Sequence, residues 1–510
     1  MGDSMKRTLR ILLLSIFFIV FSIVFSLFAS AASGAGDGIV WNFNENTGFL
    51  ELNGAGTMTD FENAEDAPWF SVRNKIKTIG FYGNITSVGS NAFRSCSVEE
   101  LYLNDSVKTV GASSFEDCGN LKSISLPNVT RVGAFAFSGC DGSASVSGEK
   151  LEIIEDNAFA NNCRAATISV GKNVRSIGNY AFYRCSSVKS FAIPSATKTI
   201  GDYAFSYCSV LANVSGGEAL ERIGANAFYF CPAMKNYTFS DSLKYIGESA
   251  FEGNRYLTSV ALGNGVEEIG ANAFFKCMKL TEITGGEALK KSGKRAFFAT
   301  GFYNDSSNWE NGVLYVGTCA VAGSLNCPVA VTLKGSTTSV GDGAFAGNND
   351  LLNITFPKTV KLIGEYAFSN CSKLLIVYYG GSNTEWDSEV ERSVGNDVLN
   401  TVRIVFGSYS MAGDLNDDKI INAKDSVLLA QHLAKWDVLI NQIGADCNGD
   451  GVINAQDSVL LAQYLANWDV ELKNPAGNTG DYGGDIDIPA DGIFGNKKGD
   501  VELPSGDLLT

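Results

Sequence analysis

The sequence predicts a β-rich solenoid of parallel strands with short helical or 3₁₀ turns, followed by a small all-α domain. Three observations predict it. Phenylalanine recurs at 93, 115, 137, 159, 182, 205, 228, 251, 274, 297, 345 and 368, spaced by 22 three times, 23 six times, then 48 and 23. A fixed period of this size marks stacked repeats that share one core. The columns around each Phe also agree. Ala precedes it directly in eleven of twelve copies, Gly stands four before it in eleven, and an aliphatic residue five before it in eleven; Ser114, Glu155 and Ser292 are the exceptions. Lastly, two acidic loops near the end are each followed by one amphipathic pattern, and 15 of 18 positions agree between 421–438 and 453–470.

Taken in order, residues 5–10 are basic, 11–28 carry no charge, and Ala29, Ser30 and Ala31 suit a small-residue cleavage site. Residues 1–31 therefore read as a secretory signal peptide. The apolar run is long enough that an uncleaved membrane anchor is the alternative.

Residues 32–75 differ from the repeats. The stretches 39–43 and 48–52 flank a turn at Asn46, Thr47 and Gly48, which predicts a hairpin. Trp69 and Phe70 follow Pro68. A solenoid needs its first apolar coil covered, so this stretch is expected to be an N-terminal β cap; the aromatics could alternatively stack on sugar.

From 76 to 405 each repeat opens with alternating apolar and polar residues, as at Leu121, Ile124 and Leu126, closed by Pro127. That pattern reads as a half-buried strand. The column Gly is expected to permit a tight turn with positive φ. The Ala-Phe pair then begins a single helical or 3₁₀ turn whose Phe plugs the coil. Three residues after Phe stand Cys96, Cys118, Cys140, Cys185, Cys208, Cys231, Cys277 and Cys371, with Cys163 one place later and Asn254, Thr300 or Asn348 in other copies. Those types share small size and the capacity to hydrogen-bond a turn backbone.

These columns, L-x-x-I-x-L-P, then V-x-x-I-G, then A-F-x-x-C, resemble the BspA-like leucine-rich repeat family over roughly 75–405. The resemblance implies a leucine-rich repeat solenoid, and 32–75 resembles that family's N-terminal cap.

The chain holds twelve Cys. Neighbouring strands lie about 4.8 Å apart, so geometry permits bridging between coils. An odd run of seven from Cys96 to Cys231, with Asn elsewhere in the column, favours buried free thiols used as small hydrophobes. The net charge of −16 argues against nucleic acid, whose phosphates need a basic face.

The 48-residue gap after Phe297 is close to two periods and holds Phe302, Tyr303, Trp309, Tyr315, Cys319 and Cys327. It reads as a degenerate coil with a hairpin insertion, the alternative being a binding protrusion. Residues 372–405 read as a closing coil, and 407–413 as a linker.

Residues 412–472 form the second domain. In the first loop Asp414, Asn416, Asp418, Asn422 and Asp425 occupy positions 1, 3, 5, 9 and 12, with Ile420 offering its carbonyl at 7. Thirty-two residues on, Asp446, Asn448, Asp450, Asn454 and Asp457 repeat the spacing, with Val452 at 7. This is the spacing of a Ca²⁺ loop, whose ion takes six to eight oxygens at about 2.3–2.6 Å. Two departures from the EF-hand stand out: position 12 is Asp, and position 6 is Lys419 in the first loop but Gly451 in the second.

A Ca²⁺ loop followed by one helix, duplicated, resembles the type I dockerin, a small all-α Ca²⁺-binding domain; Asp at 12 and Asn at 9 are that family's habit. The resemblance implies two Ca²⁺ ions and a partner, the cohesin module of a scaffoldin or cell-surface protein. It also implies partner contacts at Ala423, Lys424, Ala430, Gln431 and Lys435, and in the second copy at Ala455, Gln456, Ala462, Gln463 and Asn467.

Residues 473–510 are rich in Gly, Asp and Pro with few large apolar residues, which predicts disorder. They hold no sortase signal, so attachment to the cell surface is expected to come from the dockerin-like module.

The single His is His432, with Tyr464 at its place in the second copy. A His-based triad is excluded and the carboxylates are scattered. The sequence therefore favours a secreted, non-catalytic binding or adhesion protein with an unknown protein or polysaccharide ligand. The alternative is an accessory or cryptic enzyme of polysaccharide breakdown.

Overall fold

The structure is a computed structural model that describes residue 35 and residues 38–473, apart from 326–327, 407–411, 417–420, 437, 439, 450–451, 467, 469 and 471. The expected signal peptide (1–31) and nearly all of the expected disordered tail lie outside the described residues. So do Cys327, Asp418, Ile420, Asp450 and Asn467. The chain divides into two compact units, residues 1–408 and 409–510.

In the first unit, strands Ile39–Asn44 and Phe49–Thr57 pair antiparallel. Phe49–Thr57 then pairs parallel with Thr78–Val88. From there a ladder of two-residue parallel strands runs from Thr109–Val110 to Lys291–Ser292. Its register sets each column residue on its own copy, as in Ile177 on Ile200 and Ile200 on Ile223. Separate short parallel sheets, such as Asn236–Thr238, Ser259–Ala261 and Glu282–Thr284, form from the alternating segments. Val260, in the middle of one of them, is buried, as the alternation requires.

The Ala-Phe segment is turn rather than helix. Its backbone is left-handed two residues before and two after Phe, with φ +57° at Tyr203 and +62° at Tyr207 in the coil of Phe205. Every second N–H therefore points at the next coil: Tyr203, Phe205 and Tyr207 donate to the carbonyls of Ala225, Ala227 and Tyr229 at 2.8, 2.7 and 2.8 Å. The N–H groups between them bond within the coil, as Ser206 N does to Tyr203 O at 3.1 Å and Cys208 N to Phe205 O at 3.2 Å, so bonds between coils alternate with local ones. The helical and 3₁₀ segments of the fold lie elsewhere, at Ala64–Asp66, Phe70–Lys75, Gly301–Asn304, Ser306–Asn308, Asn383–Glu389 and Asp397–Asn400.

The column glycine also has a different reason from the one expected. Gly201 and Gly224 are absent from the positive-φ residues. A Cβ on Gly201 would sit 2.6 Å from Asn179 N and from Gly178 C, so the preceding coil's backbone leaves no room for a side chain.

The Phe rings form one column. Phe115, Phe137, Phe159 and Phe182 stack at centroid spacings of 5.1, 5.7 and 5.5 Å, and the column reaches Phe297. Trp69 closes its first end, stacked on Phe93 at 5.0 Å with its Nε1–H donated to Ala92 O at 2.7 Å.

After Phe297 the column breaks. Strands Val313–Val316 and Cys319–Gly323 form an antiparallel hairpin, and the parallel ladder resumes from Cys319 and Ala320 onto Ser339 and Val340. Val316 and Cys319 belong to the first core, Val313 and Ala320 to a second one around Phe345 and Phe368. At the far end Trp386 is buried against Phe356 and Tyr379. Asn396 Oδ1 accepts from Phe368 N at 3.0 Å, where another coil would offer a carbonyl.

The second unit holds helices Ala423–Leu433, Gln442–Ala445 and Ala455–Leu465. Its core is Leu415, Leu429, Ile440, Ala445, Cys447 and Leu461. No helix among the described residues is long and apolar enough to cross a membrane.

Candidate functional site

The second unit repeats one local construction twice. Asn422 and Asn454 are N-caps with φ −149° in both, and their Oδ1 atoms accept from Lys424 N and Gln456 N at 2.8 and 2.7 Å. Each begins a capping box closed by Asp425 or Asp457. The same two carboxylates reach back across their loops. Asp425 accepts from Leu415 N at 2.8 Å and from Asn422 N at 2.9 Å. Asp457 accepts from Asn448 N at 3.2 Å and Asn454 N at 2.8 Å. Each aspartate thus ties its loop to the first turn of its own helix.

Asn441 binds the first loop to the short middle helix. Its N–H donates to Leu415 O at 2.8 Å and its Nδ2 to Asp414 O at 3.0 Å, while its Oδ1 accepts from Gly444 N at 3.0 Å. Nothing in the loop spacing singles out Asn441; only folding brings it there.

Asp414, Asp425, Asp446 and Asp457 are all buried. Carboxylates withdrawn from water are costly unless their charge is met. The described positions of both loops offer only oxygen: Asp414, Asn416, Asn422 and Asp425 in one, Asp446, Asn448, Val452, Asn454 and Asp457 in the other. That donor set fits a hard divalent cation such as Ca²⁺. Among the described residues no three His, Cys, Asp or Glu groups converge as a metal cluster. The third carboxylate of each loop, Asp418 or Asp450, lies outside the described residues, as does Ile420.

The residues expected to meet a partner are placed on the helices or just beyond them. Ala423, Lys424, Ala430 and Lys435 are exposed and Gln431 is half-buried; Ala455, Gln456 and Ala462 are exposed and Gln463 is half-buried. Asn467 lies outside the described residues. Sequence reasoning missed large apolar residues among them. Val427 and Trp436 are 54% and 63% exposed, and Val459 and Trp468 are 56% and 62% exposed. Val427 lies four after Ala423 and three before Ala430, the spacing of one helix face. That spacing was the signal available for it.

His432 is half-buried; burial, and Lys435 beside it, hold its pKa below the ordinary value. In the repeats the Cys column is a hydrogen-bond ladder. Cys118, Cys140 and Cys231 donate Sγ–H to Phe93 O, Phe115 O and Phe205 O, each at 3.1 Å. Asn254 does the same from Nδ2 to Phe228 O at 3.1 Å. In the coil of Phe159 the ladder member is Asn162, bonded to Phe137 O and Phe159 O at 2.9 and 2.8 Å. Cys163, expected to be that coil's column Cys, is off the ladder and partly exposed. The eleven described cysteines are free thiols.

A family model described as the BspA type leucine rich repeat region matches residues 67–189, 175–304 and 304–390. A second, the dockerin type I domain, matches 412–466. No curated protein matches the chain. Among solved structures, the chain is similar to a leucine-rich repeat protein from Bacteroides ovatus at 24% identity and a TM-score of 0.43, over 74% of this chain and 100% of that one. It is also similar to a leucine rich cell surface protein from Faecalibacterium prausnitzii at 21% identity and a TM-score of 0.36, over 72% and 98%.

Proposed function

Because the chain belongs to the BspA type leucine-rich repeat family and carries a C-terminal dockerin type I domain, we propose that it is a secreted, non-catalytic binding protein held on a scaffold through that domain. The dockerin docks onto a cohesin of a cellulosome-like or cell-surface scaffold at the bacterial surface, and the solenoid presents a surface to a protein or polysaccharide ligand. The observation that carries this is the duplicated loop-and-helix construction, with buried carboxylates at both ends of each loop. Two Ca²⁺ ions would be held by Asp414, Asn416, Asp418, Ile420, Asn422 and Asp425, and by Asp446, Asn448, Asp450, Val452, Asn454 and Asp457. When bound, they would neutralise the carboxylates and fix both helix starts.

Docking uses the exposed helix positions. The small Ala423, Ala430, Ala455 and Ala462 admit close approach of a partner, and Val427 and Val459 add apolar area beside them. Near-identity of the halves allows either copy to engage. The test is titration calorimetry of the full chain against a panel of cohesins, with and without chelator. Changing Gln431 and Lys435 together is expected to leave binding nearly intact, and changing Gln463 and Asn467 as well to abolish it. Tight binding that survives chelation would reject the reading.

A further inference from the structure

The coils of Phe182, Phe205, Phe228, Phe274 and Phe297 carry at least one aromatic or cationic side chain at turn positions that the earlier coils mostly fill with small ones; the coil of Phe251 has Ser249 and Gly253 there. Two residues before or after the core Phe, φ is +56° at Tyr180, +59° at Arg184, +60° at Lys276 and +60° at Arg295. Bulky residues are disfavoured in that conformation. The coils of Phe93, Phe115 and Phe159 meet the same requirement with Asn91, Ser95, Ser113, Asp117, Asn157 and Asn161, and only Phe135 departs among the earlier coils. The turn therefore needs the conformation and not the rings. Unfavourable residues kept in such places point to a use other than stability.

Cations lie over these rings. The Arg184 guanidinium is 5.3 Å from the Tyr183 centroid and 5.8 Å from that of Tyr207. Arg295 is 4.4 and 4.9 Å from Phe275 and Phe298. Lys276 is 4.8 Å from Phe275, Lys279 is 4.6 Å from Tyr256, and Arg255 is 5.7 Å from Phe230. Among the described residues none of the five forms an ion pair, although fourteen other pairs do form. A chain of net charge −16 thus keeps a band of unpaired cations among aromatic rings on one edge of its solenoid.

We propose that this edge binds a linear carboxylated polysaccharide, a polyuronate, running along the solenoid axis. The inference rests on the reading that the repeats bind rather than cut. Cations on the three successive coils of Phe251, Phe274 and Phe297, with Arg184 three coils before them, suit a ligand that repeats its charge along a line, and Arg presents paired donors to carboxylates. The rings between them offer apolar edges to sugar C–H groups. Coils recur every 4.8 Å or so, whereas a nucleic acid strand carries one charge per roughly 3.4 Å and meets the repulsion of the acidic remainder.

The test is binding of the full chain to polygalacturonate, with neutral dextran, single-stranded DNA and polyglutamate as comparisons. The variant combines Arg184→Asn, Lys276→Asn and Arg295→Asn, which installs the residue that sister coils carry at these positions. Arg94→Asn, outside the band, is the control. The expected result is salt-sensitive binding of polygalacturonate alone, weakened at least tenfold in the triple variant and unchanged in the control. Preference for DNA or polyglutamate, or affinity untouched by the triple variant, overturns the inference. Polymer ignored by a chain that still binds its cohesin overturns the site and leaves the binding reading standing. Depolymerisation lost in the triple variant supports the site and overturns the non-catalytic reading.

Discussion

The thiol of Cys208 donates a hydrogen bond to the carbonyl oxygen of Phe182, 3.3 Å away and one coil earlier. The same bond recurs at Cys185, Cys277 and Cys371. Each adds a second bond to a buried carbonyl that already accepts one within its own coil, as Phe182 O does from Cys185 N at 3.2 Å, and such a bond contributes about 0.5–1.5 kcal/mol. At Asn162 and Asn254 the longer amide reaches the equivalent Phe oxygen, whereas Asn348, just after the interruption, donates to Ser324 O. In the native protein the column thiols are expected to resist a thiol reagent and then to titrate fully in denaturant without reductant. Few thiols titrating in denaturant would mean disulfides.

Stability should fall at alkaline pH. Burial pushes the Cys277 and Cys319 thiols from 9.0 up to about 12. Their raised folded-state pKa means the contribution is fully present below 9.0. Above it the unfolded chain ionises and the folded one does not, so stability drops by roughly 1.4 kcal/mol per pH unit per thiol until about pH 12. Denaturant melts at pH 8 and pH 10.5 check this, with Cys277→Asn as the comparison. A variant as alkali-sensitive as the parent would show that other groups cause the loss.

Phe228→Ala is expected to cost about 3–5 kcal/mol, because the ring is buried between Phe205 and Phe251 at 5.2 and 5.3 Å. A shift below about 1 kcal/mol in a denaturant melt would contradict that placement.

Removing Ca²⁺ should loosen the second unit. At an ion concentration a thousandfold above Kd, each occupied site contributes about 4 kcal/mol. Hydrogen exchange across Ala423–Leu433 and Ala455–Leu465 in the full chain, with and without chelator, reads the effect. Asp425→Asn removes a charge and keeps one acceptor oxygen, so only one of the two oxygens that serve Leu415 N and Asn422 N survives. It should weaken Ca²⁺ binding at least tenfold and also lower the protection of the first helical turn in the metal-free chain. Equal protection with and without chelator would argue against a structural ion.

The solenoid was legible because every coil must offer the same atoms to its neighbours, which forces Phe, Ala and Gly into columns that can be counted. The reason for the column Gly was not. Close approach of the preceding coil, as at Gly201 over Asn179, is a contact between residues about a period apart, and no local rule reports it. Nor did the sequence betray the left-handed backbone at Tyr203, since such residues are poor candidates for it and the bonds between coils impose it. Asn162 was masked by Cys163 because one inserted residue displaces the Cys from its slot. In the second unit the loop oxygens are set by short-range spacing and could be written down directly. Asn441 and the exposed Val427 depend on how the helices fold together.

The interrupted ring column also has a mechanical meaning. A molecule anchored through its C-terminal module and gripped along its repeats would carry tension through the backbone bonds between coils. Since Val313 and Ala320 face a core of their own, pulling should rupture the array in two steps, the shorter block lengthening the tether by roughly 300 Å at about 3.4 Å for each of residues 313–406. Force spectroscopy would register that step as a separate event, and a single rupture would mean the hairpin welds both blocks into one.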